Sequence, residues 1–361
     1  MSSAKKLLEA AAGNAGGAGL DIAEVFSTYL YTGDGTTDNS KAITTGVDIA
    51  NEGGLLWIKS REDTGAGNDH ILVTSGLTGN LRSNTTAALS GGASDLAIAT
   101  TTGFTVNRLS AGGNWYYTNA TDKDYASWTF RKAEKFFDVV TYTGTGVAGR
   151  TVSHNLGSVP GMILLKRTDS TSGWRVYHRG ANGGTNPEQY YAMLQSSNAF
   201  AAASTVWNNT APTDSVFTLG TDTDSNTNNA TYVAYIFAHN NNDGGFGPDA
   251  DQDIISCGSA SATGLTTVNL GFEPQFVLIK SDNIVNAWYI FDNMRGLTVN
   301  YAPQVLHPSD TSAEYTDDAA DTCNLTSTGF TFNSSRFNGN GTYVYMAIRA
   351  PMITEPEAAT E

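Results

Sequence analysis

Short runs of consecutive apolar residues, each closed by a turn, recur along the chain, and no stretch carries the period of a long amphipathic helix. Leu270-Gly-Phe-Glu-Pro274 leads into an apolar run ending at Lys280, followed by Trp288-Tyr-Ile-Phe-Asp-Asn-Met-Arg295-Gly296, Gly329-Phe-Thr331 and Tyr343-Val-Tyr-Met-Ala-Ile348. The same succession stands earlier as Leu156 to Lys166, Trp174-Arg-Val-Tyr-His-Arg179-Gly180, Val216-Phe-Thr218 and Tyr232 to Phe237. A more worn copy comes first, as Gly53 to Lys59, His70 to Gly76, Gly103-Phe-Thr105 and Tyr125 to Phe130. The closing lysines lie 107 and 114 residues apart and the Phe-Thr pairs 113 and 113, so one unit is written three times.

A period that long exceeds the roughly 20 to 50 residues of solenoid units and suits a small domain of about 100. Runs such as Met162 to Lys166 are apolar on consecutive positions, as strands covered on both faces are, whereas Tyr343, Tyr345 and Ala347 alternate with Val344, Met346 and Ile348. Pro160 and Pro274 stand just before their strands, where a missing N–H does no harm. Many short strands with frequent turn signals predict an all-β chain of three tandem β-sandwich domains.

The expected divisions are an N-terminal anchor segment at 1–24, sandwiches at 25–134, 138–238 and 253–351, a linker at 239–252 and a loose acidic tail at 352–361. Lys5 to Ala12 has helical spacing ended by Gly13-Asn-Ala-Gly-Gly, and Leu20 to Phe26 suits a further helical turn. His239 to Asp253 is polar and glycine-rich, the composition of a linker that does not pack. The expected arrangement is beads on a string.

The formal net charge of −15 opposes contact with phosphate backbones, and Arg131-Lys132 with Lys135 is the one basic cluster against it. Nucleic acid is therefore not an expected partner. No apolar run reaches the roughly 18 residues of a membrane span, and the first residues lack a signal peptide pattern, so membrane insertion and export are not expected. Cys257 and Cys323, both in the third copy, read as buried thiols in preference to a disulfide.

No zinc-protease pair, nucleophile elbow, phosphate loop or dinucleotide fingerprint occurs, and His70, His154, His178, His239 and His307 are scattered. No catalytic residue, cofactor or metal site is expected. Asp249-Ala-Asp-Gln-Asp253 and Asp222-Thr-Asp-Ser-Asn226 space carboxylates as calcium loops do, yet both lack the closing glutamate, and a solvated turn is the plainer reading. The aromatic strand ending in Arg-Gly suits a tight turn with Arg295 or Arg179 laid on an aromatic face or paired with a carboxylate. Aromatics in polar loops, Trp115, Tyr116, Tyr117, Tyr190, Tyr191, Trp207 and Tyr315, are the candidate surface contacts for sugars or protein, with capping of a sandwich core as the alternative.

Ala10 to Asp21, Val25-Phe-Ser-Thr-Tyr-Leu-Tyr-Thr-Gly33, the strand ending at Lys59, Leu81-Arg-Ser-Asn-Thr-Thr-Ala-Ala88, Gly103-Phe-Thr105 and Tyr125-Ala-Ser-Trp128 together resemble a module of tail and tail-fibre proteins of tailed bacteriophages, notably of marine bacteria and cyanobacteria. The resemblance covers nearly the whole chain. It implies concanavalin-like or jelly-roll-like sandwiches and a non-enzymatic virion protein, which would anchor through its N-terminus and meet other virion proteins and a host cell-surface glycan. Exposed strand edges must be covered in such a protein, so a homo-oligomer such as a trimer, or a ring, is expected. A capsid decoration or head fibre, and a carbohydrate-binding or depolymerase protein, are the alternatives. The Asp-x-x-Arg-Gly turn of the third copy becomes His178-Arg-Gly180 in the second and Val73-Thr-Ser-Gly76 in the first, so no ligand role follows for that turn.

Overall fold

The structure, a computed structural model, describes residues 19–37, 40–62, 68–91, 96–107, 117–299, 302–317 and 322–351. The expected helix at Lys5 to Ala12, the tail after Pro351, Trp115 and Tyr116 lie outside them.

An Asp21 capping box, closed by Glu24, opens the one-turn helix α1 (Ile22–Val25), as the sequence expects near Leu20 to Phe26. Repeat 1 then supplies β1 (Phe26–Thr32), β2 (Lys41–Thr44), β3 (Gly54–Ser60), β4 (Ile71–Thr74), β5 (Asn80–Arg82), β6 (Ala97–Thr100), β7 (Gly103–Val106) and β8 (Asp124–Arg131). Repeat 2 supplies β9 (Phe137–Thr143), β10 (Arg150–Ser153), β11 (Met162–Arg167), β12 (Arg175–His178), β13 (Tyr190–Tyr191), β14 (Ala201–Ala202), β15 (Val216–Leu219) and β16 (Thr231–Phe237). Repeat 3 supplies β17 (Ile255–Ala262), β18 (Leu265–Asn269), β19 (Pro274–Ser281), β20 (Trp288–Asp292), β21 (Gln304–Val305), β22 (Tyr315–Thr316), β23 (Cys323–Thr326), β24 (Gly329–Asn333) and β25 (Gly341–Arg349).

The protein is all-β, and its pairings are antiparallel. Each repeat has one larger sheet in the same order, β1-β8-β3-β4-β5, β9-β16-β11-β12 and β17-β25-β19-β20. Each backs it with a small sheet, β2-β7-β6, β10-β15 or β18-β24-β23. Registers coincide as well: Lys280 stands opposite Trp288 and Phe276 opposite Asp292, while Met162 stands opposite His178 and Leu55 opposite Thr74. Carrying these registers one residue further makes His70, Trp174 and Trp288 equivalent.

Alternation along the central strands decides where each face goes. Leu56 and Ile58 of β3 enter the sandwich of repeat 1 with Phe104 and Val106, and Val277 and Ile279 of β19 enter that of repeat 3 with Phe330 and Phe332. Leu55 and Trp57, with Phe276 and Leu278, point the other way into a core shared by all three repeats. Phe130 lies 5.5 Å from Phe237 and 6.3 Å from Phe276, ring centre to centre, and Phe26 lies 5.7 Å from Phe276. The sandwich core of repeat 2 runs on into this centre.

Beads on a string is therefore corrected. The larger sheets carry apolar side chains on both faces, and a sandwich covers only one of them, so the repeats cover the other for each other. The segment 239–252 is corrected too, because it packs. Phe246 is buried against Phe136, Lys135 donates to the Asp243 carbonyl, and Asp253 accepts from the N–H groups of Asn242, Asp243 and Gly244. A Cβ on Gly19 would meet the Gly245 carbonyl at 2.2 Å, and Gly247 N–H donates to the Leu20 carbonyl, so the start of the described chain is held under this loop. Polar composition concealed a fold satisfied by its own side chains.

Candidate functional site

The densest polar chemistry lies where the repeats meet, and the same three positions make each meeting. After β4, β12 and β20 each repeat makes a short hairpin whose tip reaches the next repeat, closed by the Asn80–Ser90 bridge, by β13 with β14 and by β21 with β22. The tips run from Arg82 to Leu89, Met193 to Phe200 and His307 to Glu314, a rise of seven residues in each. Leu89 N–H donates to the Thr168 carbonyl at 3.0 Å, Phe200 N–H to Asp282 at 2.8 Å and Glu314 N–H to Arg61 at 2.8 Å. Each acceptor stands two residues beyond the closing lysine of its own repeat. Repeat 1 thus docks on repeat 2, repeat 2 on repeat 3, and repeat 3 returns to repeat 1: the chain closes a ring.

At the start of each tip a second contact recurs. Trp174 Nε1 donates to the Arg82 carbonyl at 3.0 Å and Trp288 Nε1 to Met193 at 3.1 Å. His70 holds the equivalent place. It accepts from Trp57 Nε1 at Nδ1, and its Nε2 faces the His307 backbone without a formed hydrogen bond. Burial, reinforced by the Lys59 charge, holds the His70 pKa well below its ordinary value.

The third contact sits at the far end of the same strands. Thr74 Oγ1 and the Tyr235 hydroxyl share a hydrogen bond of 2.7 Å, His178 Nε2 lies 3.0 Å from the Tyr345 carbonyl, and Asp292 Oδ2 accepts from Trp128 Nε1 at 2.9 Å. Gly180 N–H donates to His178 Nδ1, so the ring proton is on Nε2 and is given to Tyr345. Burial drives the His178 pKa to about 3 and that of His239 to about 4. A Cβ on Gly180 would lie 2.8 Å from the Gly258 carbonyl, which fixes glycine where repeats 2 and 3 touch.

Charge concentrates at one meeting. Between repeats 3 and 1, Arg61 holds Glu314 through Nε and Nη2 at 2.9 and 2.7 Å. Arg295 donates to Asp292 at 2.7 Å, to Glu314 at 3.4 Å and to the Ile290 carbonyl at 3.0 Å, and its guanidinium lies 5.5 Å from the Trp128 ring centre. Arg295 is both paired and laid on an aromatic face, at a turn that ends on Gly296 with φ 89°. Arg179 of repeat 2 is instead exposed. Lys59, Lys166 and Lys280 are fully buried, and each ammonium donates to carbonyls including that of the next residue. Burial lowers Lys166 and Lys280 to about 8.

The aromatic candidates divide. Tyr117 is buried under the Arg82 guanidinium, and Trp207 is buried edge-on to Tyr177 and Phe217, so both serve cores and neither is an exposed contact. Tyr190 and Tyr191 are half-buried on β13, the latter beneath Arg175. Tyr315 remains exposed, 5.6 Å from His307. Loop position alone does not separate a cap from a surface residue.

Among the described residues no group of three or more His, Cys, Asp or Glu side chains is placed to hold a metal. Three carboxylates of the two Asp loops have other work: Asp253 caps backbone N–H groups, and Asp222 and Asp224 clasp Arg175 at 3.0 and 2.6 Å. Cys257 and Cys323 are buried free thiols, and burial pushes Cys257 up to about 12. The sequence missed Thr74, Arg61, Glu314 and Asp292 as meeting points. Ala88, Ala199 and Ala313 at the sixth residue past each tip's start were the available signal.

Residues 21–351 match a family described as a domain of unknown function, DUF7483. The chain belongs to this family. Its span takes in all three repeats as one range, the same extent as the shared core. No curated protein matches the chain.

Proposed function

We propose that this member of the family is a non-enzymatic structural protein of a tailed-phage virion, a tail or tail-fibre component. It is held to the particle through its N-terminal segment, and its outer loops meet other virion proteins or a host surface glycan. The observation that carries the reading is the use made of interior polar groups: Asp292, Arg295, Glu314, Arg61, His178 and the three lysines are engaged with one another or with the backbone. Such groups rigidify a scaffold, and an acid or base for turnover needs a partner left free for substrate. Tyr315, 41% exposed beside His307, supports a sugar-binding variant of this reading, because aromatic rings stack on pyranoses.

Labelling of intact particles with antibody against this protein tests the proposal. Tail labelling is expected, head labelling moves it to capsid decoration, and labelling confined to unassembled lysate protein refutes it. Release of reducing ends from host polysaccharide, abolished by one Asp or Glu substitution, would refute the non-enzymatic part.

A further inference from the structure

The three meetings between repeats share backbone geometry but not chemistry. The first two join neighbours that the chain already tethers, at 132–136 and 239–254. There the position of Glu314 is taken by Leu89 and Phe200, and that of Arg61 by Thr168 and Asp282. The third joins repeat 3 to repeat 1, which no such junction links. It alone carries the cluster Asp292, Arg295, Glu314 and Arg61 with Trp128.

We propose that this cluster is a specificity lock which gives the 307–314 tip one permitted partner, the Arg61 edge of repeat 1. The other two edges refuse it for physical reasons. Placed against repeat 3, Glu314 would face Asp282, a buried carboxylate beside another; placed against repeat 2 it would face Thr168 and remain an uncompensated charge. Arg61 reverses both penalties with a two-pronged pair, and Arg295 carries the charge inward to Asp292. A second copy of the chain offers the same Arg61, but the tip of one chain meets its own repeat 1 at an effective concentration of roughly millimolar, so closure stays within the chain. Strand edges are covered in the process: Thr28 of β1 donates to Asn293 beyond β20, and β17 lies against the 181–184 turn beyond β12. One chain therefore does internally what the expected homotrimer would do between chains. The inference stands whether or not the protein belongs to a virion.

The test uses the full chain and hydrogen exchange at the Glu314 amide, which reports docking of the tip. Arg61→Asp copies the edge of repeat 3 and is expected to speed that exchange by a factor on the order of 10 or more. Adding Glu314→Phe to Arg61→Asp recreates the Phe200–Asp282 pair and is expected to restore slow exchange. Unchanged exchange in the single variant overturns the lock, as does a double variant that exchanges as fast as the single. If Arg61→Asp fails to fold, the double variant decides alone: a folded, protected tip supports the lock, and a second failure overturns it.

Discussion

Acid should open the contact between repeats 2 and 3 through His178. Its ring accepts from Gly180 N–H at Nδ1 and donates to Tyr345 at Nε2, and protonation would set a second N–H against the Gly180 donor inside a dry interface. Burial depresses the folded pKa from 6.5 to about 3, with the Arg179 and His239 charges adding to it. The unfolded chain therefore binds more protons between those limits, so stability is whole above pH 6.5 and is lost as pH falls toward 3. Each pH unit well inside that window is worth about 1.4 kcal/mol, and since the unfolded side chain is half protonated at 6.5, acidification from 6.5 to 4.5 should remove about 2.3 kcal/mol through this side chain. Carboxylates and the other histidines titrate in the same range, and a difference measurement removes them. His178→Gln keeps a neutral donor for Tyr345 and cannot charge. Urea unfolding at pH 7 and pH 4.5 should show the parent losing about 2 to 3 kcal/mol more than the variant. Parallel pH profiles would show that this imidazole is not held neutral by its site.

Arg295→Met leaves Asp292 and Glu314 buried without their shared cation, and thermal unfolding should report a loss of roughly 3 to 5 kcal/mol. Trp207→Ala should cost about 3 to 5 kcal/mol in the same assay, whereas Tyr315→Ala should cost about 1 or less, because one ring fills a core and the other is partly exposed beside His307. Lys166 and Lys280 have folded values near 8 against 10.5 unfolded, so the unfolded chain holds more protons between those limits and stability should rise as pH passes upward from 8. Chemical denaturation at pH 7.5 and 9.5 checks this, and Lys166→Met should flatten the rise.

Strand positions were legible because apolar runs bounded by Gly and Pro have few other uses, and the lysine and Phe-Thr spacings alone placed one unit against the next. Alternation within β25 also told which side chains share a face: Tyr343 and Ala347 enter the sandwich of repeat 3, and Met346 and Ile348 the shared centre. It could not tell what covers that face. Trp57 and Ile58 look alike in sequence, yet one enters the shared centre and the other its own sandwich. The hairpin tips carry little apolar signal, since their contacts run through backbone N–H groups and carbonyls that any sequence supplies.

By itself the sequence determined the repeat, the all-β class and the alternation of the Tyr343–Ile348 strand, since these follow from local spacing and turn chemistry. Tertiary structure decided the rest: that three sandwiches share one core, that a polar segment packs, that Trp207 is interior and Tyr315 is not, and that Glu314 finds Arg61 across 253 residues of chain. Burial and charge pairing are properties of neighbours brought together by the closed ring, and no local stretch records who those neighbours are.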